Sequence, residues 1–271
     1  MFDIIIVGGG PAGLSAAVTA RQRNMNVAVI SNGAAESGLH KAKEIGNYLG
    51  FHRITGQELL QRMTDHALGA GAEIINGKVN TILPLGGGFG VGYGPDILDS
   101  KSIVLATGVA QTSVFPGEAE LLGRGVSYCA TCDGMLFRGK RICAVCLAPG
   151  ADEEAEYLES LGCDVVRLMG GKIRINGESR VLSVTVDGEE IKCDGVFILR
   201  QAVAPHLMLA GISMESGHIG AGLSGETNIA GVFAAGDCVG KPYQIAKAVG
   251  QGQVAALSAA EYIRWAAPTT Q

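Results

Sequence analysis

Apolar and polar positions fall into blocks along this chain. Asp3-Ile-Ile-Ile-Val7 is a short, nearly continuous apolar run, the pattern of a strand buried on both faces. It stops at the turn Gly8-Gly-Gly-Pro-Ala-Gly13, after which Leu14 to Arg23 reads as a small-residue helix and Val27-Ala-Val-Ile30 as a second strand. Two later runs have the same character: Ser102-Ile-Val-Leu-Ala-Thr-Gly108 ends in a small-residue turn, and Gly231-Val-Phe-Ala-Ala-Gly-Asp-Cys238 delivers Asp237 to a loop. A helix is expected from about Ile245 to Trp265. Between these runs the pattern starts again, with a strand at 141–147, a helix at 151–161 and a strand at 163–169. Only three residues then separate Met169 from Ile173, too few for a further helix.

Gly8, Gly10 and Gly13 stand where a strand turns into a helix, so the spacing is the dinucleotide fingerprint in its proper context, with a pyrophosphate expected on the helix N-terminus. The acid that would bind a ribose near residue 31 is absent. Ser31-Asn32-Gly33 stands there, leaving backbone groups or the Asn32 side chain to do that work. In a flavin-binding fold an aspartate placed as Asp237 is accepts hydrogen bonds from the ribityl chain or from groups on the pyrophosphate. The expected fold class is therefore α/β, with two Rossmann-like, three-layer nucleotide-binding domains. Residues 1–111 and 226–271 would form a discontinuous FAD-binding domain, and 112–225 a shortened, inserted domain of the NAD(P)H-binding type.

Composition narrows the classes. A chain of 271 residues can bury substantial cores, and its 41 glycines without low-complexity tracts suit repeated tight turns. A net charge of -5 and an aromatic content of 5% disfavour a nucleic-acid binder. No stretch approaches twenty uninterrupted apolar residues, so no membrane span is expected. Phe2-Asp3-Ile4 leads straight into a strand, and seven cysteines are too few and too uneven for a disulfide framework, so a reducing cytoplasm is the expected compartment.

The chemistry centres on Cys129-Ala130-Thr131-Cys132-Asp133. Two thiols at this spacing can close into a small reducible disulfide. The alternative is half of a zinc site, with Cys143 and Cys146 as the other half. That second pair lies in an apolar strand, where residues three apart point to opposite faces, so a redox pair is favoured and no metal is expected. Cys143, Cys146, Cys163 and Cys193 read as small core residues, and Cys238 stands beside Asp237.

With these motifs in order, the chain resembles the low-molecular-weight thioredoxin reductase family over nearly its whole length. The matching pieces are GGGPAG at 8–13, Glu44-Ile-Gly-Asn-Tyr-Leu-Gly-Phe51, Ala106-Thr-Gly108, CATCDG at 129–134 and GVFAAGDC at 231–238. The resemblance implies FAD, a homodimer and a thioredoxin-like disulfide substrate. It further implies that Cys132 faces the flavin, Cys129 exchanges with the substrate and Asp133 moves the proton. By the same likeness the flavin would be held by Gly8, Gly10, Pro11, Ala12, Gly13, Ser31, Asn32, Gly38, Leu39, Asn47 and Val79. Ala106, Thr107, Gly108, Gly236, Asp237, Gln244, Ile245 and Ala246 would complete that site.

The chain departs from the family where a nicotinamide dinucleotide should sit. The turn of the second unit reads Cys146-Leu-Ala148-Pro-Gly-Ala151, so two fingerprint glycines carry side chains. An expected His-Arg-Arg cluster is replaced by Arg167-Leu-Met-Gly-Gly-Lys172, with Arg174 beyond, and a strand-end glycine is lost in Val196-Phe-Ile-Leu-Arg-Gln201. Near the flavin, Tyr-Arg-Gln-Ala becomes Tyr243-Gln-Ile-Ala246. This pattern is similar to the ferredoxin-dependent flavin thioredoxin reductases, which implies reduced ferredoxin as the electron donor. It would dock on basic residues such as Lys41, Lys43 and Arg53. Three other readings remain: a dithiol oxidase using oxygen, an NADPH-dependent reductase with a divergent site, and a non-catalytic flavin sensor.

Overall fold

The structure is a computed structural model and describes residues 1–33, 37–109, 115–148, 150–200 and 204–266. In chain order the first elements are β1 (Phe2–Val7), α1 (Pro11–Gln22), β2 (Val27–Ser31), α2 (Gly56–Gly69), β3 (Glu73–Asn76), β4 (Val79–Leu85), β5 (Gly88–Tyr93) and β6 (Asp96–Leu105). Then come β7 (Val126–Ser127), α3 (Ala130–Asp133), β8 (Arg141–Cys146), α4 (Ala151–Ser160), β9 (Asp164–Leu168), β10 (Ile173–Gly177), β11 (Val181–Val186), β12 (Glu189–Lys192) and β13 (Gly195–Leu199). The last are α5 (Pro205–Met208), β14 (Met214–Glu215), β15 (His218–Ile219), β16 (Val232–Ala234) and α6 (Ile245–Ala266). The helix expected from Leu14 starts earlier because Pro11 at its first position needs no N–H partner and has the helical φ built in.

The chain divides into two compact units, Met1–Ala110 with Ala204–Gln271, and Gln111–Val203. Residues 204–225, expected in the inserted domain, belong to the first unit. Local bonds tie them there: Asn228 Oδ1 accepts from the Ser213 N–H at 2.8 Å, and Glu226 O from the Gly222 N–H at 2.9 Å.

In the first unit one sheet runs β3-β2-β1-β6-β5-β4, with β16 also against β6. β6 serves two environments. Its first half pairs antiparallel with β5 and is largely exposed; its second half, Ser102 to Leu105, is enclosed between parallel β1 and β16 and is wholly buried. Helices α1 and α6 pack closely because both present small residues. A Cβ on Gly252 would come within 2.0 Å of the Ala12 carbonyl oxygen, and Ser15 Oγ donates to Val249 O at 2.7 Å.

The second unit holds a parallel sheet, β7-β13-β8-β9, and a separate antiparallel sheet, β10-β11-β12. Gly170 and Gly171, at φ of +135° and +109°, carry the chain directly from β9 to β10. Among the described residues no helix is long and apolar enough to cross a membrane.

Candidate nucleotide cleft and cysteine pair

In the first unit, three glycines at the β1–α1 turn meet three different demands. Gly8 has a φ of +114°, and a Cβ there would lie 2.2 Å from the Ala106 carbonyl oxygen at the end of β6. A Cβ on Gly13 would lie 1.9 Å from Gly8 O, so the helix can sit this close to its strand only without a side chain. At Gly10 a Cβ would meet nothing within 4 Å among the described residues. This glycine therefore leaves space open, and α1 starts there with no side-chain cap and no acidic residue in its first turn. Uncapped N–H groups facing open space, together with the helix dipole, suit a pyrophosphate.

Asp237 is brought to the same helix end. It lies in a short 3₁₀ turn after β16, where Gly236, at φ +86°, would place a Cβ only 2.8 Å from Ala12 Cβ. Asp237 Oδ1 is buried with no hydrogen-bond partner among the described residues, and burial holds its carboxyl above the usual range against the pull of Lys247. A buried acceptor of this kind suits ligand hydroxyl groups. Lys247 Nζ donates to Gly236 O at 3.1 Å and to Gly240 O, fixing the turn. Cys238 is a structural thiol: it is buried, donates to Ala235 O at 3.2 Å and to Leu105 O at 3.4 Å, and burial raises its pKa.

The remaining predicted cofactor residues fall at strand ends, in the segment between β2 and α2, and at the start of α6. Ser31 ends β2 beside Gly9, whose Cβ would come 2.8 Å from Ser31 Oγ, and Asn32 follows it. Ala106 is buried after β6, with Thr107 and Gly108 beyond. Asn47 Nδ2 donates to Gln244 Oε1 at 3.1 Å, joining two of them across 197 positions, and Ile245 and Ala246 open α6. Leu39 is buried in the same core, and Val79 opens β4. Gly38 adjoins Leu39, and a Cβ there would meet nothing within 4 Å among the described residues.

In the second unit Cys129 follows β7 after one residue, Tyr128. Its neighbours hold each other: Ser127 Oγ donates to Asp133 Oδ2 at 2.7 Å and accepts from the Cys129 N–H at 3.1 Å. Cys129 is disulfide-bonded, is 7% exposed, and its sulfur lies 3.4 Å from Thr131 Oγ1. Gly134 is required by packing, since a Cβ would come within 3 Å of Leu158 and Leu161 side chains at the end of α4, at 2.9 and 2.8 Å. Ser127 was not among the predicted residues. Only the turn formed by 129–133 brings it to Asp133. Cys143 and Cys146 do not form one chelating pair: Cys146 packs with the α4 core, while Cys143 shares a hydrogen bond with Cys193.

The β8–α4 turn differs from the β1–α1 turn in charge as well as shape. α4 starts after Gly150 and carries Asp152, Glu153 and Glu154 in its first turn. These carboxylates complement the helix dipole and repel phosphate. Arg167, a candidate phosphate clamp, is already engaged, with Nη2 3.0 Å from Glu159 Oε1 and Nη1 3.5 Å from Asp152 Oδ1.

The profile of the pyridine nucleotide-disulphide oxidoreductases matches residues 2–170 and 151–252. Thioredoxin reductase of Bacillus subtilis (strain 168) is 31% identical, with 97% of this chain and 95% of the relative covered. A ferredoxin-flavin thioredoxin reductase from Clostridium acetobutylicum superposes with a TM-score of 0.87 at 38% identity, covering 97% of this chain and 98% of that one. A thioredoxin reductase from Gloeobacter violaceus gives a TM-score of 0.78 at 28% identity, covering 100% of this chain and 96% of that one.

Proposed function

We propose, for a chain that belongs to the thioredoxin reductases of the pyridine nucleotide-disulphide oxidoreductase family, a reductase that draws its electrons from reduced ferredoxin and not from NAD(P)H. The observation that carries this reading is the contrast between two helix N-termini. α1 is uncapped and carries no acid in its first turn, with a buried carboxylate oxygen beside it that has no partner among the described residues. α4 is guarded by three acids, and its nearby arginine is spent on ion pairs.

FAD is the cofactor that suits the first site, and when bound it supplies the exchange between single electrons and the pair a disulfide needs. Gly10 and the α1 N–H groups would hold its pyrophosphate, and Asp237 Oδ1 would accept from its hydroxyl groups. Cys132 is the proposed disulfide partner of Cys129. In the reduced enzyme Cys129 attacks the thioredoxin disulfide, breaking that S–S bond and forming a mixed disulfide. Cys132 then displaces the thioredoxin sulfur and closes the Cys129–Cys132 bond. Asp133, held through Ser127, moves the protons. Two reduced ferredoxins thus give one electron each, and two protons complete the thioredoxin dithiol. The enzyme would work as a homodimer in a reducing cytoplasm.

The test is anaerobic mixing of the oxidised flavoprotein with reduced ferredoxin, NADPH, NADH or a dithiol while flavin absorbance is followed. Ferredoxin should bleach the flavin fast enough to support thioredoxin reduction, and more slowly as salt rises, because Lys41 and Lys43 are exposed cations on an acidic chain. Flavin reduction by NADPH at the turnover rate would replace this reading with the ordinary reductase.

A further inference from the structure

A buried ion pair stands beside the cysteine segment of the second unit. Glu118 is 0% exposed, and its carboxylate accepts from the Phe115 N–H at 2.9 Å, from Tyr128 O–H at 2.8 Å and from Arg200 Nη2 at 2.8 Å. Arg200 is 6% exposed, and its guanidinium carbon lies 5.7 Å from the Phe115 ring centroid and 5.6 Å from that of Tyr128. Its Nε and Nη1 have no hydrogen-bond partner among the described residues. Burial and the bond to Glu118 push the Tyr128 phenol up, so it stays a donor.

The sheet explains why these groups meet. β13 pairs with β7, Val196 opposite Val126 and Phe197 opposite Ser127, so Arg200 and Tyr128 leave the carboxyl ends of neighbouring parallel strands. Open α/β sheets bind ligands at that end. Here a guanidinium stands at the end of β13, within the stretch 196–201 from which a family glycine is lost, and Glu118 ties it to the residue that precedes Cys129. Such a pair is not explained by stability, because desolvating two charges offsets most of their attraction, and two guanidinium nitrogens have no bond among the described residues.

We propose that Arg200 and Glu118 are positioning residues that hold the Tyr128–Cys129 segment and balance the charge beside it, setting the redox equilibrium of the Cys129–Cys132 pair. This rests on the reading of those two cysteines as a redox couple. Opening the disulfide creates thiol groups, one of which ionises. A guanidinium nearby favours the opened form and a carboxylate opposes it. Removing either charge should therefore shift the couple, in opposite directions.

The experiment equilibrates the intact flavoprotein anaerobically with glutathione buffers. Two glutathione thiols lose two electrons and two protons to form one disulfide as Cys129–Cys132 opens to two thiols, which are counted by alkylation and mass spectrometry. Glu118→Gln should raise the midpoint potential and Arg200→Met should lower it, each by about threefold to tenfold in equilibrium constant, or about 15–30 mV for two electrons. The double variant should return towards the wild-type value. Loss of a purely structural brace would move both single variants the same way. Glu118→Gln keeps the side-chain shape, so an unmoved or lowered potential in it overturns the inference even if Arg200→Met does not fold. A shift of both variants in one direction, or an unmoved Glu118→Gln, would overturn the inference alone. A wild-type pair that no glutathione ratio opens would sink the redox reading, and this inference with it.

Discussion

Gly10 and Gly13 sit three residues apart in one turn, yet replacing them should have different consequences. Among the described residues nothing lies within 4 Å of a Cβ at Gly10, so Gly10→Val should leave the fold intact while filling the approach to the pyrophosphate. At Gly13 a methyl group meets the Gly8 carbonyl oxygen at 1.9 Å, which backbone movement alone can relieve. Gly13→Ala should cost about 3 kcal/mol. The ratio of flavin to protein absorbance together with the thermal midpoint separates them: flavin lost with the midpoint of the cofactor-free protein kept for Gly10→Val, both lowered for Gly13→Ala. A Gly10→Val protein that retains its flavin would remove the pyrophosphate from this turn. These glycines were legible in the sequence because their demands are local and their spacing is fixed by one turn. Arg200 was visible only as one residue of the stretch 196–201 that lacks a family glycine. Its partner Glu118 lies 82 positions away, and only the pairing of β7 with β13 brings them together.

Among the elements, α4 shows most clearly how one helix start can be stable and yet unsuited to phosphate. Asp152, Glu153 and Glu154 stabilise a helix that has no side-chain cap, and Asp152 also faces Arg167. Changing them to Asn, Gln and Gln should lower stability by about 1 kcal/mol in total in denaturant unfolding, with the difference shrinking as salt rises. The neutral variant should still not be reduced by NADPH, because Leu147 and Ala148 keep their side chains in the turn. NADPH-driven bleaching in that variant would show that charge alone had closed the site. The acids were legible in the sequence, but the sequence could not show that Arg167 would fold back onto Asp152 and Glu159. Helix and strand runs were readable from apolar blocks, whereas the double pairing of β6 was not, since one ten-residue strand changes neighbours midway.

At the scale of the whole molecule, the chain crosses between two units, and the boundary expected at 226 falls at Ala204. The sequence between shows no strong apolar period, so nothing in it marked which unit these residues join. If the flavin binds at the α1 start, its removal should be felt unevenly. Amide exchange should quicken in β1, the start of α1 and the Asp237 turn, while β8 and β13 keep their protection. Equal loss of protection in all of these would mean that the cofactor is not confined to the first unit's cleft.

The route of the chain also sets the order in which the protein can be built. Residues 111–203 are contiguous and can fold as soon as they leave the ribosome. The earlier segment cannot finish first. β6 needs β16 at its side, and α1 needs Gly252 of α6 against Ala12. During synthesis the amino-terminal hundred residues must therefore wait, with the apolar flank of β6 and the small-residue face of α1 uncovered, until more than half the chain has followed. The flavin can be captured only then. A cell short of flavin would meet this protein with its inserted unit complete and its first-made segment the last to settle, a state in which proteolysis should begin at the amino-terminal unit.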